Sequence, residues 1–221
     1  MIYLSDRPYY RELRRIVRAI KKDVDEQIVP LLHDKSYTAD SWAASIPMVI
    51  EALRRKWDTV LNAKRIAINF VEKAHNSRFG VDVYGRSERM NNALKAAVSQ
   101  NVSLIKSIPD SYFNQIENIV LGNMRQGMRS SYIQAELVKQ FGIRERHARL
   151  IARDQTTKIN GELTRVNQLD RGIEYFQWVT SKDERVRHSH VKAGNDDVGY
   201  GKGIYKWDDL PIVDKQPAYP G

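Results

Sequence analysis

Cysteine is absent from the 221 residues, so this span can form neither a disulfide bond nor a thiolate metal site. Long apolar runs are absent too, and the first residues carry tyrosine, aspartate and arginine where a secretion signal would place a basic tip and a hydrophobic stretch. The lack of cysteine favours synthesis in a reducing compartment. We therefore expect a soluble protein that has no contact with a membrane at steady state.

Motifs of common enzyme sites are also missing. The glycine-rich segment G-Y-G-K-G from Gly199 to Gly203 lacks the Ser or Thr and the helical context of a phosphate-binding loop. The sequence has neither a serine nucleophile elbow nor a paired-carboxylate arrangement. We predict a non-enzymatic protein without a cofactor or metal. One weak Asp/His arrangement is the only feature that favours an enzyme instead.

Positive charge exceeds negative charge, with 36 Lys and Arg against 27 Asp and Glu and a formal net charge of +9. This balance favours an acidic partner such as nucleic acid or an acidic protein face. The alternative is an ordinary solvated surface, because the positive residues are spread along several predicted helices instead of forming one run.

The first predicted helix is amphipathic and basic. Apolar residues recur at steps of three and four from about Pro8 to Leu32, which is typical of a helix with one buried face. The other face carries the positive residues Arg11, Arg14, Arg15, Arg18, Lys21 and Lys22. Such a face can bind a membrane, DNA or a protein, or it can face water while the apolar side packs on the rest of the molecule.

A second helical segment is predicted over residues 41–79, where the same apolar spacing returns. Pro47 stands where a helix start tolerates proline, and Gly80 is the expected stop. A short break is expected at residues 81–85.

A helical pair is predicted next, over residues 87–108 and 110–127. Pro109 separates the two helices, because proline cannot donate the backbone hydrogen bond that a continuing helix needs. A cap at Ser130–Ser131 predicts one more helix, which is expected to end at Phe141–Gly142.

The composition changes from Arg171 onward, where glycine and proline break the chain into turns and short extended pieces. We predict an α+β fold that is mostly α, with long N-terminal helices followed by a small C-terminal α+β region with short strands. The predicted regions are residues 1–85, helical and used for docking, residues 86–142, a helical hairpin, and residues 143–221, the C-terminal region.

A helix predicted over residues 144–166 carries polar side chains beside its apolar stripe. Gln155 lies on the stripe itself, where an unpaired polar group costs about 1 to 3 kcal/mol, so we expect it to tie this helix to another segment. Arg153, Thr156 and Asn160 share a neighbouring face at the rim of the core. The expected role is a structural polar network that holds a strand and a turn onto the helix, and the alternative is catalysis or contact with DNA.

Residues 174–180 have the alternation of a half-buried strand. One face carries Tyr175, Gln177 and Val179, and the other carries Phe176, Trp178 and Thr180. Ser181 and Glu184 have the spacing of a capping box, which predicts a short helix that begins there.

On that helix Asp183, Arg187 and His190 would share one face, whereas Arg185 and His188 would point elsewhere. An aspartate and a histidine two turns apart can ligate a metal or act as an acid–base pair. The ligand set is incomplete, because two ligands do not close a metal site. The competing interpretation pairs Asp183 with Arg187 and leaves His190 to satisfy a buried carbonyl.

Two segments resemble motifs of a known family, one of the form I-A-R-x-[EQ]-T and one of the form W-x-T-S-x-D-x-R-V-R-x-x-H followed by a glycine. The matching residues are Ile151, Ala152, Arg153, Gln155, Thr156, Trp178, Thr180, Ser181, Asp183, Arg185, Val186, Arg187, His190 and Gly194. On these residues the chain resembles the phage Mu F-like minor head protein family, also called the phage head morphogenesis family, over roughly residues 86–221. The family often closes its tail with a Cys-Arg-Cys element, which this sequence does not contain.

The resemblance implies a minor component of a phage head, made in the cytoplasm of the infected bacterium and located inside the virion head near the portal. The implied partners are the portal protein, other head proteins and packaged double-stranded DNA, which would be contacted without sequence preference. The implied roles are head assembly and help with genome ejection.

Three functional hypotheses follow from these observations. In the first, a non-enzymatic head protein docks on the portal through Arg11, Arg14, Arg15 and Arg18. In the second, a sequence-independent DNA-binding protein contacts phosphates through Arg146, Arg149 and Arg153. In the third, Asp183 and His190 form the centre of a metal-dependent hydrolase or nuclease.

Overall fold

Long helices make up most of the chain in the computed structural model, which describes residues 5–34, 39–80, 86–180 and 186–218. The helices are α1 (Arg7–Gln27), α2 (Val29–His33), α3 (Ala39–Val60), α4 (Ala63–Phe79), α5 (Glu88–Arg125), α6 (Ser130–Asp170) and α7 (His188–Ala193). The strands are β1 (Tyr175–Gln177), β2 (Ile204–Lys206), β3 (Ile212–Val213) and β4 (Gln216–Pro217). The predicted fold class, mostly α with short strands at the C-terminal end, is confirmed. Among the helices in these described ranges, none has the length and apolar character needed to cross a bilayer.

The described contacts divide the chain into two compact units, each built from two main stretches of sequence. We name Ser5–Val71 with Val98–Gln155 the helical unit, and Glu72–Ala97 with Thr156–Gly221 the aromatic unit. The division into three sequence regions stays a prediction, and the break expected at residues 81–85 lies outside the described residues.

The helical unit forms around the apolar face of α1. This face buries Tyr9, Leu13, Ile16, Val17, Ile20 and Val24, as the spacing predicts. The ring of Tyr9 stacks on Phe70 of α4 with the ring centroids 3.9 Å apart. Because full burial of one such side chain stabilises a fold by about 1.5 to 3 kcal/mol, this face is the main reason that α1 is held in place.

Two predicted helix ends are wrong, because packing outweighs the local helix breakers. α5 continues through Pro109, and α6 continues through Gly142. In a helix interior, proline costs about 3 kcal/mol and glycine about 1 kcal/mol relative to alanine. Burial on both sides of these positions offsets the cost, and the buried residues are Ile105, Ile108, Tyr112, Phe113, Ile133, Leu137 and Ala148.

The first predicted helix is divided where the prediction has it continuous. α1 ends at Gln27, and α2 begins at Val29 with Pro30 in its first turn. Proline has no backbone N–H, so it is tolerated at the start of a helix and favours a new start there.

The helix predicted over residues 41–79 is also divided, into α3 and α4. The side chain of Asn62 accepts a hydrogen bond from the backbone N–H of Arg65 at 3.1 Å, which is the contact of a helix N-cap. Pro47 lies inside α3 and not at its start. Gly80 follows α4 with a positive φ of 77°, which confirms it as the predicted stop.

The strands belong to the aromatic unit. β1 pairs antiparallel with β2, so that Phe176 lies opposite Tyr205. The ladder is shorter than the predicted strand over residues 174–180, but the predicted alternation is confirmed. Phe176 and Trp178 are buried, whereas the exposed side chains are Tyr175, Gln177 and Val179.

Candidate functional site

The tryptophan motif lies in a small aromatic core. Its buried residues are Phe176, Trp178, Ala193, Tyr205, Trp207 and Val213. The indole N–H of Trp207 donates to Oε1 of Gln168 at 2.7 Å, and the hydroxyl of Tyr205 donates to the carbonyl of Ala193 at 2.7 Å. The polar edges of these buried rings are therefore satisfied, and Gln168 ties the end of α6 to the core.

Trp178 and His190, which belong to the same motif, contact each other. The indole N–H of Trp178 donates to the backbone carbonyl of His190 at 3.1 Å, and the two ring centroids lie 5.5 Å apart. This hydrogen bond uses the backbone of His190, so the prediction that the His190 side chain satisfies a buried carbonyl stays a prediction. A Cβ at Gly194 would lie 3.5 Å from the Trp178 ring, which is an ordinary van der Waals distance, so this ring does not by itself require glycine there.

Arg187 joins α7 to the hairpin of β3 and β4. α7 begins at His188, and the backbone of its N-cap residue, Arg187, is extended, so Arg187 and His190 do not share a face of one helix. Arg187 Nη1 donates to Asp214 at 2.5 Å. The Ser189 hydroxyl and the Arg187 guanidinium lower the pKa of Asp214. These contacts give Arg187 a structural role in the aromatic unit.

Ser181, Asp183 and Arg185 lie outside the described residues, and so does the predicted capping box. Within the described ranges, no group of three or more histidines and carboxylates is placed to hold a metal ion. A hydrolase site at Asp183 and His190 stays a prediction.

Gln155 ties α6 to two other helices, which confirms that it connects segments. The Asn101 amide on α5 donates to Oε1 of Gln155 at 3.3 Å, and the Tyr9 hydroxyl on α1 donates to Oδ1 of Asn101 at 2.8 Å. Gln155 also donates to Asp154 at 3.0 Å. The residue of α6 that bonds the aromatic core is Gln168, through the indole N–H of Trp207.

The other polar residues predicted on this helix, Arg153, Thr156 and Asn160, differ in how far they are buried. Arg153 is exposed, Thr156 is buried and Asn160 is half-buried. The Thr156 hydroxyl has no hydrogen-bond partner in the part of the chain that the structure describes. The backbone carbonyl of Asn160 accepts a hydrogen bond from Thr164 at 2.7 Å. Within the described residues the Thr156 hydroxyl therefore makes no contact of the polar network predicted for Arg153, Thr156 and Asn160.

The packing of α1 on α6 brings two predicted groups of arginines together. Glu145 on α6 accepts hydrogen bonds from Nε of Arg14 at 2.6 Å and Nε of Arg18 at 3.2 Å. The guanidinium of Arg149 lies 5.9 Å from the centroid of the Tyr10 ring. The two helices therefore run antiparallel here, and we name the result the basic surface. It comprises Arg11, Arg14, Arg15 and Arg18 of α1 with Arg146 and Arg149 of α6.

Glu145 organises this surface, although the sequence does not predict it. Its partners lie 131 and 127 residues away along the chain, so no local spacing signals the contact. Burial alone would raise the pKa of Glu145, but the hydrogen bonds from Arg14 and Arg18 lower that pKa below its ordinary value. Glu145 therefore stays ionised at neutral pH and compensates one of the two positive charges.

Comparison with known proteins agrees with the motif resemblance. Residues 114–219 match the family model described as Phage Mu protein F like protein, which supports the family resemblance over this part of the chain. A Haemophilus influenzae protein described as an uncharacterized protein is 27% identical over 202 residues, which cover 83% of this chain and 45% of the relative. The chain thus spans less than half of that relative's length. No solved structure matches the chain.

Proposed function

Residues 114–219 form a Phage Mu F-like region, and from this premise we propose that the chain is a minor head protein of a tailed phage. It is made in the cytoplasm of the infected bacterium, enters the virion and acts in head morphogenesis close to the portal. Its partners are the portal protein, other head proteins and double-stranded DNA. The protein also takes part in passage of the genome at ejection.

The basic surface supports this proposal best. Arg11 and Arg15 are exposed on α1, and Arg146 and Arg149 are exposed on α6. Arg15 pairs with Glu12 at 2.5 Å, whereas Arg146 and Arg149 have no ion pair within the described residues. Uncompensated positive charge spread over two packed helices suits an acidic partner, because complementary potentials speed association and fix orientation.

Portal docking is tested with point substitutions, because removal of α1 would also remove its buried apolar face from the core. We expect Arg11→Gln with Arg15→Gln to weaken capture by co-expressed portal protein about tenfold or more, as loss of arginine anchors does at interfaces. Lys64→Gln with Arg65→Gln on α4 removes the same charge from another exposed helix face and should leave capture unchanged. Equal capture of both variants would count against docking through α1.

Contact with DNA is the second candidate function, favoured by the exposed Arg146 and Arg149 beside the arginines of α1. Binding to phosphates without base contacts should be independent of sequence and should weaken steeply as salt rises. The test is a titration of the whole chain against unrelated DNA duplexes at several salt concentrations. A lack of affinity at low salt would reject this contact.

The proposed role is non-enzymatic. Incubation with plasmid DNA and a divalent cation should leave the DNA intact. Cleavage that is lost in both Asp183→Ala and His190→Ala would support the metal-dependent alternative instead.

A further inference from the structure

Two arginines of α1 are oriented by a single carboxylate of α6, and we propose that they form a phosphate-binding clamp. The clamp consists of Arg14, Arg18 and Glu145, and its ligand is a phosphodiester group of a DNA backbone. This inference rests on the proposed contact with DNA and names the residues that would make it.

The hydrogen bonds leave the outer ends of both guanidinium groups open. Arg14 and Arg18 both use Nε, and both donate to the same oxygen of Glu145. Their terminal nitrogens have no hydrogen-bond partner among the described residues. Because the two arginines are four residues apart on a helix and share one acceptor oxygen, their guanidinium groups are neighbours. Two adjacent forks suit the oxygens of a phosphate, which arginine binds in a bidentate manner.

Burial and charge agree with this geometry. The side chain of Glu145 is 20% exposed, whereas those of Arg14 and Arg18 are 37% and 56% exposed. The carboxylate is therefore recessed, and it holds together two cations that would otherwise repel each other. The three groups carry one net positive charge, which a single phosphodiester group would neutralise.

A polymer with repeated negative charges fits the surroundings of the clamp better than an isolated anion does. Arg11 lies one turn before Arg14 and Arg15 on α1, and Arg146 and Arg149 continue the positive charge on α6. A DNA strand carries a phosphate at each nucleotide, so its backbone can engage the clamp and these neighbours together.

The clamp is tested by changing arginine geometry without changing charge. Fluorescence anisotropy with a labelled duplex is measured at several salt concentrations for Arg14→Lys with Arg18→Lys. Lysine keeps the positive charge but lacks the fork, so we expect affinity to fall about tenfold while the salt slope stays nearly the same. The control variant, Arg55→Lys with Arg65→Lys, makes the same change elsewhere in the helical unit and should bind as the wild type does.

Glu145→Gln provides a second readout with the opposite sign. Glutamine keeps an acceptor for Nε but removes the negative charge, so DNA binding should become several-fold tighter. A positive surface without a clamp would also gain affinity from this change of charge, so the lysine substitutions are the ones that identify the clamp. If the double lysine variant fails to fold by circular dichroism, Arg14→Lys and Arg18→Lys are measured singly.

The outcomes separate the clamp from the DNA contact itself. Wild-type binding that the lysine substitutions leave unchanged would overturn the clamp and leave a general positive surface. If the wild type does not bind duplex DNA at low salt but binds polyglutamate, both the clamp and the contact with DNA are overturned. That result would identify an acidic protein face as the partner.

Discussion

Single polar side chains connect segments that lie far apart in the sequence. Gln168 accepts the indole N–H of Trp207, Asn101 links α1 to α6, and Glu145 orients two arginines. Buried and half-buried polar groups of this kind cost free energy when a partner is missing, so each of them limits which arrangements of the helices are stable.

Gln168→Leu should destabilise the aromatic unit, because the indole N–H of Trp207 would lose its acceptor. The expected loss is about 1 to 3 kcal/mol in the free energy of unfolding. The measurement is chemical denaturation followed by tryptophan fluorescence. Asn167→Leu is the neighbouring control, and an equal loss in both variants would show that the Trp207 contact is not responsible.

The ion pair between Glu72 and Arg86 predicts a dependence of stability on pH. Arg86 donates to both carboxylate oxygens of Glu72 at 3.0 and 2.7 Å, and this hydrogen bonding lowers the pKa of Glu72. A lowered pKa in the folded state stabilises the fold above the unfolded-state pKa, and this contribution is lost as pH falls through the folded-state pKa.

Glu72→Gln should therefore lower the melting temperature at pH 7, by an amount equivalent to no more than about 1 kcal/mol because the pair is partly exposed. The difference from the wild type should shrink as the pH falls towards about 3. Melting curves across this range check the prediction, and a difference that stays constant with pH would contradict it.

At the scale of elements, the glycine-rich loop before β2 is a structural turn. The carboxylate of Asp197 accepts hydrogen bonds from the backbone N–H groups of Gly199 and Gly201 at 2.8 and 3.0 Å. Those two bonds lower the pKa of Asp197. Gly203 has a positive φ of 69°, and its N–H donates to the carbonyl of Asp196 at 2.7 Å. The loop thus satisfies its own backbone and leads into the strand pair.

Gly203→Ala should be much more harmful than Gly199→Ala. Both positions have positive φ, which strains an alanine, but a Cβ at Gly203 would also lie 2.8 Å from the Gly194 carbonyl oxygen, whereas at Gly199 it meets nothing within 4 Å. Strain alone costs about 1 to 3 kcal/mol, and the clash at Gly203 adds to it. Denaturation of both variants provides the comparison, and equal stabilities would be inconsistent with this close approach.

Local signals in the sequence identify most elements but not their lengths. The spacing of apolar residues predicts α1, and the alternation around Trp178 predicts β1, because each pattern depends on one buried face. Pro109 and Gly142 wrongly predict helix ends, because the free-energy cost of each residue is offset by packing against other helices. The partners of Glu145 and Gln155 are likewise set by tertiary packing, which no sequence window contains.

At the scale of the whole molecule, the two candidate regions belong to different units. The basic surface lies entirely in the helical unit, and the described motif residues from Trp178 to Gly194 lie entirely in the aromatic unit. The aromatic motif has the contacts of a packing core, whereas the basic surface has exposed charge. We therefore propose that the arginines of α1 and α6 bind partners and that the tryptophan motif gives structural support.

The most direct test is the amount of this protein in purified phage heads, measured by quantitative mass spectrometry. Three kinds of head are compared, each from an infection in which only one version of the protein is made. The versions are the wild type, the α1 variant Arg11→Gln with Arg15→Gln, and the α4 control Lys64→Gln with Arg65→Gln. We predict wild-type amounts for the control and a loss of about tenfold for the α1 variant. Full incorporation of the α1 variant, or no wild-type protein in the heads at all, would contradict the assignment.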